Sequence, residues 1–279
     1  MIIRCWGSRG AIPVSGKEYL KYGGDTSCIE IRTKSNDTII LDAGTGIRRL
    51  GNLMLEEKRL KCHLIITHPH WDHLMGLPFF KPLYEGQSKI HMSMAPFDKK
   101  FIEKTIAKFM TPPHFPVKFA KLKNNLFIDD KNPSEFEIGS VKIMSIPLSH
   151  TSDGRGYKFI EDGKIFVFIT DNELGNIHGS DVSYDEYLEF TAKADLLFHD
   201  AEYTPDEYKK QINWGHSSYT DVIRLAIDAG VKKTGMFHLN QERTDKKMDE
   251  IIDICRKEIS EQGANLECFG VASDMTFTL

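Results

Sequence analysis

Thr67-His-Pro-His-Trp-Asp-His73 sets three imidazoles and a carboxylate within six positions: His68, His70, Asp72 and His73. Such a density of nitrogen and oxygen donors is suited to divalent metals. The apolar run Leu64-Ile65-Ile66 just before it reads as a buried strand, so the cluster is expected on the loop where that strand ends. Alternation along the loop lets His68 and His70 point at one ion while Asp72 and His73 turn toward a second. The competing reading is a solvated polar turn.

Around this loop lies an ordinary globular composition. The chain has 279 residues, 41% hydrophobic and 27% charged, enough to bury a large core in one big domain or two small ones. A net charge of −4 gives no reason to expect a long nucleic-acid surface. Five scattered cysteines (Cys5, Cys28, Cys62, Cys255 and Cys268), with no Cys-x-x-Cys pair, suit reduced thiols in a cytoplasmic protein. The opening Met-Ile-Ile-Arg-Cys-Trp reads directly as a strand, without a signal-peptide apolar region. No uninterrupted apolar run approaches membrane-spanning length.

Residues 1–92 read as strands broken by glycine turns, at Ile2–Trp6, Cys28–Arg32, Thr38–Leu41, Leu64–Thr67 and Lys89–Met92. Gly44-Thr-Gly46 opens a helix carrying Ile47, Leu50 and Leu53 on one side. Residues 94–136 break this rhythm with a helix over Asp98–Met110 and then Thr-Pro-Pro-His-Phe-Pro116, and read as an insertion or cap. Its Phe97, Phe101, Phe109, His114, Phe115 and Phe119 suggest a lid with a stacking face, or a plain helical packing element. Strands resume at Val141–Ile146, Tyr157–Ile160, Ile165–Thr170 and Leu196–His199, the middle two joined by the turn Glu161-Asp-Gly-Lys164. Helices follow at Tyr219–Ala229, stopped by Gly230, and near Asp245–Ser260; Glu267–Phe269 and Met275–Thr278 close the chain as strands. The pattern predicts an α/β (α+β) protein with two sheets back to back and helices outside.

Two ions held side by side need about six or seven ligands, more than one loop supplies. His150, Asp171 and His238 each lie just past an apolar strand, where a side chain leaves the sheet for a cleft. Taken alone, each histidine is equally a hydrogen-bonded loop residue, and Asp171 a turn former. His63, His91 and His178 read as structural or surface residues. Trp71 reads as packing beside the site. Tyr203, Tyr208 and Trp214 fit either a pocket or a subunit contact.

His68-x-His70-x-Asp72-His73 with later His150, Asp171 and His238 resembles the metallo-β-lactamase-fold hydrolases over nearly the whole chain. The resemblance implies a four-layer αββα sandwich over residues 1–279 with the site on one edge. It also implies that His68, His70 and His150 hold one metal, that Asp72, His73 and His238 hold the other, and that Asp171 bridges them. Leu41-Asp42-Ala-Gly44 is similar to the family's early Asp-Ala-Gly turn, whose aspartate supports the ligands. Leu197-Phe-His-Asp-Ala-Glu202 and Gly215-His-Ser-Ser218 are similar to segments of the ribonuclease Z and phosphodiesterase branch, as is Gly7-Ser-Arg-Gly-Ala-Ile-Pro13. That match makes His216 the proton donor to the leaving oxygen, oriented by Asp200, where the branch usually has Glu. Asp72 counts with His216 and Asp200 among the catalytic residues. A homodimer is implied by the same branch.

The chemistry is coherent by itself. A hydroxide held between two cations is a nucleophile at neutral pH, because coordination lowers the pKa of water to about 7 on zinc. The remaining task, protonating a leaving alkoxide, suits a histidine. Imidazole and carboxylate without thiolate suit zinc, with manganese or iron fitting the same ligands. The branch's ribonucleases carry a long tRNA-gripping arm, but only residues 151–170 separate His150 from Asp171 here. The expected substrate is therefore a small or cyclic phosphodiester or nucleotide, and a long tRNA is not expected. Three alternatives stay open: a thioester or lactone hydrolase on the same metals, an endonuclease acting on RNA 3′ ends, and a non-catalytic nucleotide-binding module.

Overall fold

The computed structural model describes residues 1–122, 124–129, 133–175, 178 and 182–279. Position 123 and residues 130–132 of the segment 94–136 lie outside the described residues. The strands of the first half are β1 (Ile2–Gly7), β2 (Cys28–Arg32), β3 (Thr38–Leu41), β4 (Lys61–Ile65), β5 (Lys89–Ser93) and β6 (Leu126–Ile128). Those of the second are β7 (Glu135–Ile138), β8 (Val141–Pro147), β9 (Arg155–Glu161), β10 (Lys164–Ile169), β11 (Leu196–Asp200), β12 (Lys233–Phe237), β13 (Glu267–Gly270) and β14 (Thr276–Thr278). One sheet has the order β14-β1-β2-β3-β4-β5-β6 and the other β13-β12-β11-β10-β9-β8-β7, so the last strand returns to the edge of the first sheet.

Both faces of the inner strands are buried, which is why they read as continuous apolar runs. In β2 and β3, Ile29, Ile31, Ile39 and Leu41 point toward the second sheet and meet Phe159, Phe166, Phe168, Phe198 and Phe237. Cys28 and Ile40 point the other way, onto the helices α1 (Ile47–Glu56) and α2 (Lys99–Phe109). The outer face of the second sheet is covered by α3 (Tyr184–Thr191), α5 (Tyr219–Asp228) and α6 (Asp245–Glu261), with the single turn α4 (Pro205–Tyr208) leading to α5. The result is the four-layer αββα arrangement expected from the sequence. Among the described residues no helix is long and apolar enough to cross a membrane.

Several boundaries differ from the sequence reading for identifiable reasons. β4 stops at Ile65, two residues early, because the Thr67 amide leaves the ladder and donates to Asp42 Oδ1 at 2.8 Å. Among the strands and α-helices of the described residues, four escaped: β6, β7, α3 and α4. β7 (Glu-Phe-Glu-Ile) buries one residue of four, too little for an alternation signal. α3 and α4 carry capping boxes, Ser183 with Glu186 and Thr204 with Glu207, a start signal legible in the sequence.

The Phe198 ring of β11 bridges the two sheets, edge-on to Phe277 of β14 in the first sheet at 5.6 Å and edge-on to Phe166 of its own sheet at 5.2 Å. Phe198→Ala should lower unfolding free energy by about 3–5 kcal/mol, read as a lower urea midpoint at unchanged slope. A loss under about 1 kcal/mol would contradict a shared core at this ring.

Candidate metal centre

The strands β3, β4, β8, β10, β11 and β12 all end on one edge of the sandwich, and the predicted residues leave from those ends. Three of them turn out of the sheet through left-handed backbone that is uncommon outside glycine: Asp42 (φ 63°), Asp171 (φ 48°) and His238 (φ 54°). The turn swings each side chain out of the ladder toward the cluster of donors at that edge. Gly10, from the loop after β1, packs so closely on the His238 ring that a Cβ there would lie 2.4 Å from it.

The edge gathers two groups of donors that share Asp171: His68, His70, His150 and Asp171, then Asp72, His73, Asp171 and His238. In the first, His70 Nδ1 and His150 Nε2 are 3.0 Å apart, and His68 Nε2 lies 3.4 Å from Asp171 Oδ2. In the second, His73 Nε2 lies 3.2 Å from both Asp72 Oδ2 and Asp171 Oδ1. His238 Nε2 lies 3.2 Å from Asp72 Oδ2 and 3.3 Å from Asp171 Oδ2. Donors that each stand about 2.0–2.2 Å from one ion are separated by roughly 3.0–3.6 Å. The spacing therefore fits.

Hydrogen bonding on the far side of each ring fits as well. His150 Nδ1 donates to the Gly215 carbonyl (2.9 Å), His73 Nδ1 faces Asp42 Oδ2 (2.7 Å) and His238 Nδ1 faces Glu202 Oε2 (3.1 Å). With Nδ1 so committed, Nε2 of each ring presents its lone pair to the centre. His68 Nε2 and His73 Nε2 are buried without a hydrogen-bond partner, a costly state for a polar atom unless something else satisfies it. Burial pushes His150 down to about 2 and His70 down to about 4, which keeps both lone pairs unprotonated. Burial also opposes charge on His73 and His238, yet Asp72 and Asp171 outweigh it and raise both well above the ordinary histidine range. These carboxylates demand positive charge at the centre, which a divalent cation would supply.

A third group, Asp200, Glu202, His216 and His238, adjoins the second. His216 Nδ1 lies 2.7 Å from Asp200 Oδ2, and its ring stacks on His238 with centroids 4.8 Å apart. Burial works against an imidazolium here, but Asp200 and then Glu202 overcome it and hold His216 up to about 9. Asp200, pushed up by its own burial, is fixed further by the amides of Asn172 and Glu202. The aspartate is long enough to reach the histidine.

Asp42 is buried beneath the centre and accepts from the Thr67 amide and hydroxyl, the Ser27 hydroxyl (2.8 Å) and His73. Sequence reasoning missed Glu202 as the partner of His238, although it stands two positions beyond Asp200 in the quoted segment. It also missed the Ala11 amide, which donates to Asp72 Oδ2 at 3.0 Å. No motif announces a main-chain donor. His63 and His91 stack on each other outside these groups, whereas His178 Nε2 sits 2.6 Å from Glu173 Oε2.

Two hollows of about 490 Å³ each flank Pro69. One is walled by Trp71, Phe79, Phe109 and Phe115 with Lys108 at its margin, and the other opens on His150 beside Phe97 and Phe101. Trp71 is 52% exposed and meets Phe109 edge-on at 5.0 Å. Phe119 instead packs into the core beneath α2.

A family model described as a beta-lactamase superfamily domain matches residues 37–239. A ribonuclease Z of Oceanobacillus iheyensis is 22% identical over 239 residues, covering 70% of this chain and 76% of that protein. Among solved structures, unliganded yeast PDE1 superposes with a TM-score of 0.75 at 16% identity, covering 100% of this chain and 99% of that one. The metallo-beta-lactamase fold protein YhfI from Bacillus subtilis gives 0.71 at 16% identity, over 99% and 98%.

Asp42→Ala removes the acceptor of His73 Nδ1 and strands the buried Thr67 donors. Zinc affinity, measured by competition with a chromophoric chelator, should fall about 10–100-fold. Unchanged affinity in a folded variant would show that Asp42 does not act on the donor rings.

Proposed function

This chain belongs to the beta-lactamase superfamily, and from that membership we propose that it is a metal-dependent hydrolase of small phosphodiesters. The observation that carries the reading is the convergence of two donor groups on a shared Asp171, with the His216–Asp200 pair stacked against them. His68, His70 and His150 would hold one divalent cation and Asp72, His73 and His238 the other, with Asp171 touching both; zinc suits these ligands. Bound cations supply a water acidified to neutral pH and positive charge for the phosphate oxygens.

The chain's own residues do the rest. Asp42 and Glu202 fix the tautomers of His73 and His238. His216 keeps a proton at neutral pH on the site's rim and donates it to the departing alkoxide, while Asp200 holds the ring by Nδ1 and leaves Nε2 for the leaving group. Only the β9–β10 hairpin fills the stretch between His150 and Asp171, which supports a compact substrate. The segment 94–136 then acts as a cap: α2 and the turn after it offer Phe109 and Phe115 opposite Trp71 as a stacking wall. The name ribonuclease Z on the matched relative favours a second reading, cleavage at RNA 3′ ends; release of a trailer from a precursor tRNA would establish it.

The metal-loaded protein should hydrolyse bis-p-nitrophenyl phosphate or 2′,3′- or 3′,5′-cyclic nucleotides above a His70→Ala control; no excess across zinc, manganese and iron would sink the proposal. His216→Ala should cost about 10²–10⁴-fold in kcat where an alkoxide leaves, and far less where p-nitrophenolate does. Because deprotonation removes the acid, kcat should fall on the alkaline side, at or below about 9, and this limb should vanish in the variant. Robust thioester turnover, equal with and without His216 and exceeding that on any diester, would instead favour thioester hydrolysis, because a thiolate leaves without an acid. Phe109→Ala should raise KM about tenfold for nucleoside p-nitrophenyl phosphates, a stacked base being worth about 1–3 kcal/mol, but leave methyl p-nitrophenyl phosphate unaffected.

A further inference from the structure

Glu173 lies two residues beyond Asp171 and is fully buried, yet it faces neither donor group. Its carboxylate collects four partners from elsewhere. Oε1 accepts from the Tyr208 hydroxyl (2.8 Å) and the Asn213 amide (3.0 Å), and Oε2 accepts from the Gly215 amide (2.8 Å) and His178 Nε2 (2.6 Å). A buried carboxylate without such partners would be strongly destabilising, so the segment 208–215 is bound to this position.

What Glu173 fixes is the peptide just before His216. Gly215 gives its amide to Glu173 and its carbonyl to His150 Nδ1 (2.9 Å), while the next residue is His216 itself. Gly215 has φ +87°, and a Cβ there would sit 2.1 Å from His150 Nδ1, so no other residue permits this approach. The neighbouring Asn172 completes the bracket. Its side-chain oxygen accepts from the Ser149 amide (2.8 Å), ahead of His150, and its carbonyl accepts from the Ser217 hydroxyl (2.5 Å), just past His216. The Glu173 amide also donates to the Ser149 carbonyl (2.9 Å).

We propose that Glu173 is a positioning residue that sets the distance between His216 and the His150 donor by gripping the Gly215 peptide between them. The role of His216 as acid rests on the proposed phosphodiester chemistry; the orientation of His150 does not. Two measurements on Glu173→Gln separate these. The amide offers one acceptor oxygen in place of two, and in either orientation its NH2 opposes a main-chain N–H, that of Asn213 or of Gly215, so the 213–215 backbone should shift while Asp171 stays. Because a displacement near one ångström can cost about 100-fold, kcat for diesters with alkoxide leaving groups should fall at least about tenfold more than for p-nitrophenyl esters. Zinc affinity by chelator competition should fall about tenfold through His150.

Equal losses on both kinds of ester would overturn the proposal, since a merely structural role does not read the leaving group. Unchanged zinc affinity in a folded variant would overturn it too, and this arm needs no turnover. It therefore stands even if no diester is a substrate. Should Glu173→Gln fail to fold, Tyr208→Phe removes a single donor from Oε1 and must show both effects in the same direction at smaller size, or the proposal fails.

Discussion

The site depends on burying one carboxylate, that of Asp171, where four imidazoles can surround it. An isolated ionised group in that position would cost many kcal/mol. Burial does push its pKa up, but His238, His73 and His68 together pull it well below the usual carboxylate range. The two donor groups are joined through this side chain. Its place is set by the left-handed turn at the end of β10 and by Asn172 and Glu173, which tie the next residues to the loops on either side. Charge balance at Asp171 and the packing of the sheets are one constraint, because the strands that bring the histidines also bury the acid.

That constraint explains which parts of the molecule were legible in the sequence. The central strands were, since a strand buried on both faces leaves an unbroken apolar run, as in Ile165–Thr170. The Thr67–His73 loop was legible because its chemistry is local. His150, Asp171 and His238 could be grouped only by their common place after apolar strands and by family resemblance. Glu202 and Glu173 were not found, for a physical reason: a carboxylate that holds a ring or a loop looks like any acidic residue until its partner, from 36 or 42 positions away, is known. The Ala11 amide leaves no trace in a side-chain pattern at all.

Edge elements were missed because little burial enforces their pattern. β7 exposes half its residues, and α4 is one turn. The segment containing α2 and β6 broke the strand rhythm without leaving the fold, for β6 pairs with β5 and α2 packs Ile102 and Ile106 on the same core as α1. Its apolar face thus divides: Ile102 and Ile106 serve the sheet, while Phe109 joins Trp71 at the hollow beside the donors. A periodicity argument sees one stripe where the molecule uses two surfaces.

The left-handed conformations at Asp42, Asp171 and His238 link function to stability. Each costs of order 1–3 kcal/mol in a non-glycine residue and persists only where its surroundings over-determine it. Asp42 accepts from Thr67, Ser27 and His73, His238 is held between Glu202 and Asp72, and Asp171 lies within reach of four histidines. An extended backbone at any of the three would carry its side chain on along the sheet and away from the shared centre. The strain is therefore the cost of turning strand ends into donors, and it is offset by the same contacts that orient them. Removing one partner loosens a turn as well as a ring, so losses of donor geometry and of fold stability at these positions are coupled by construction.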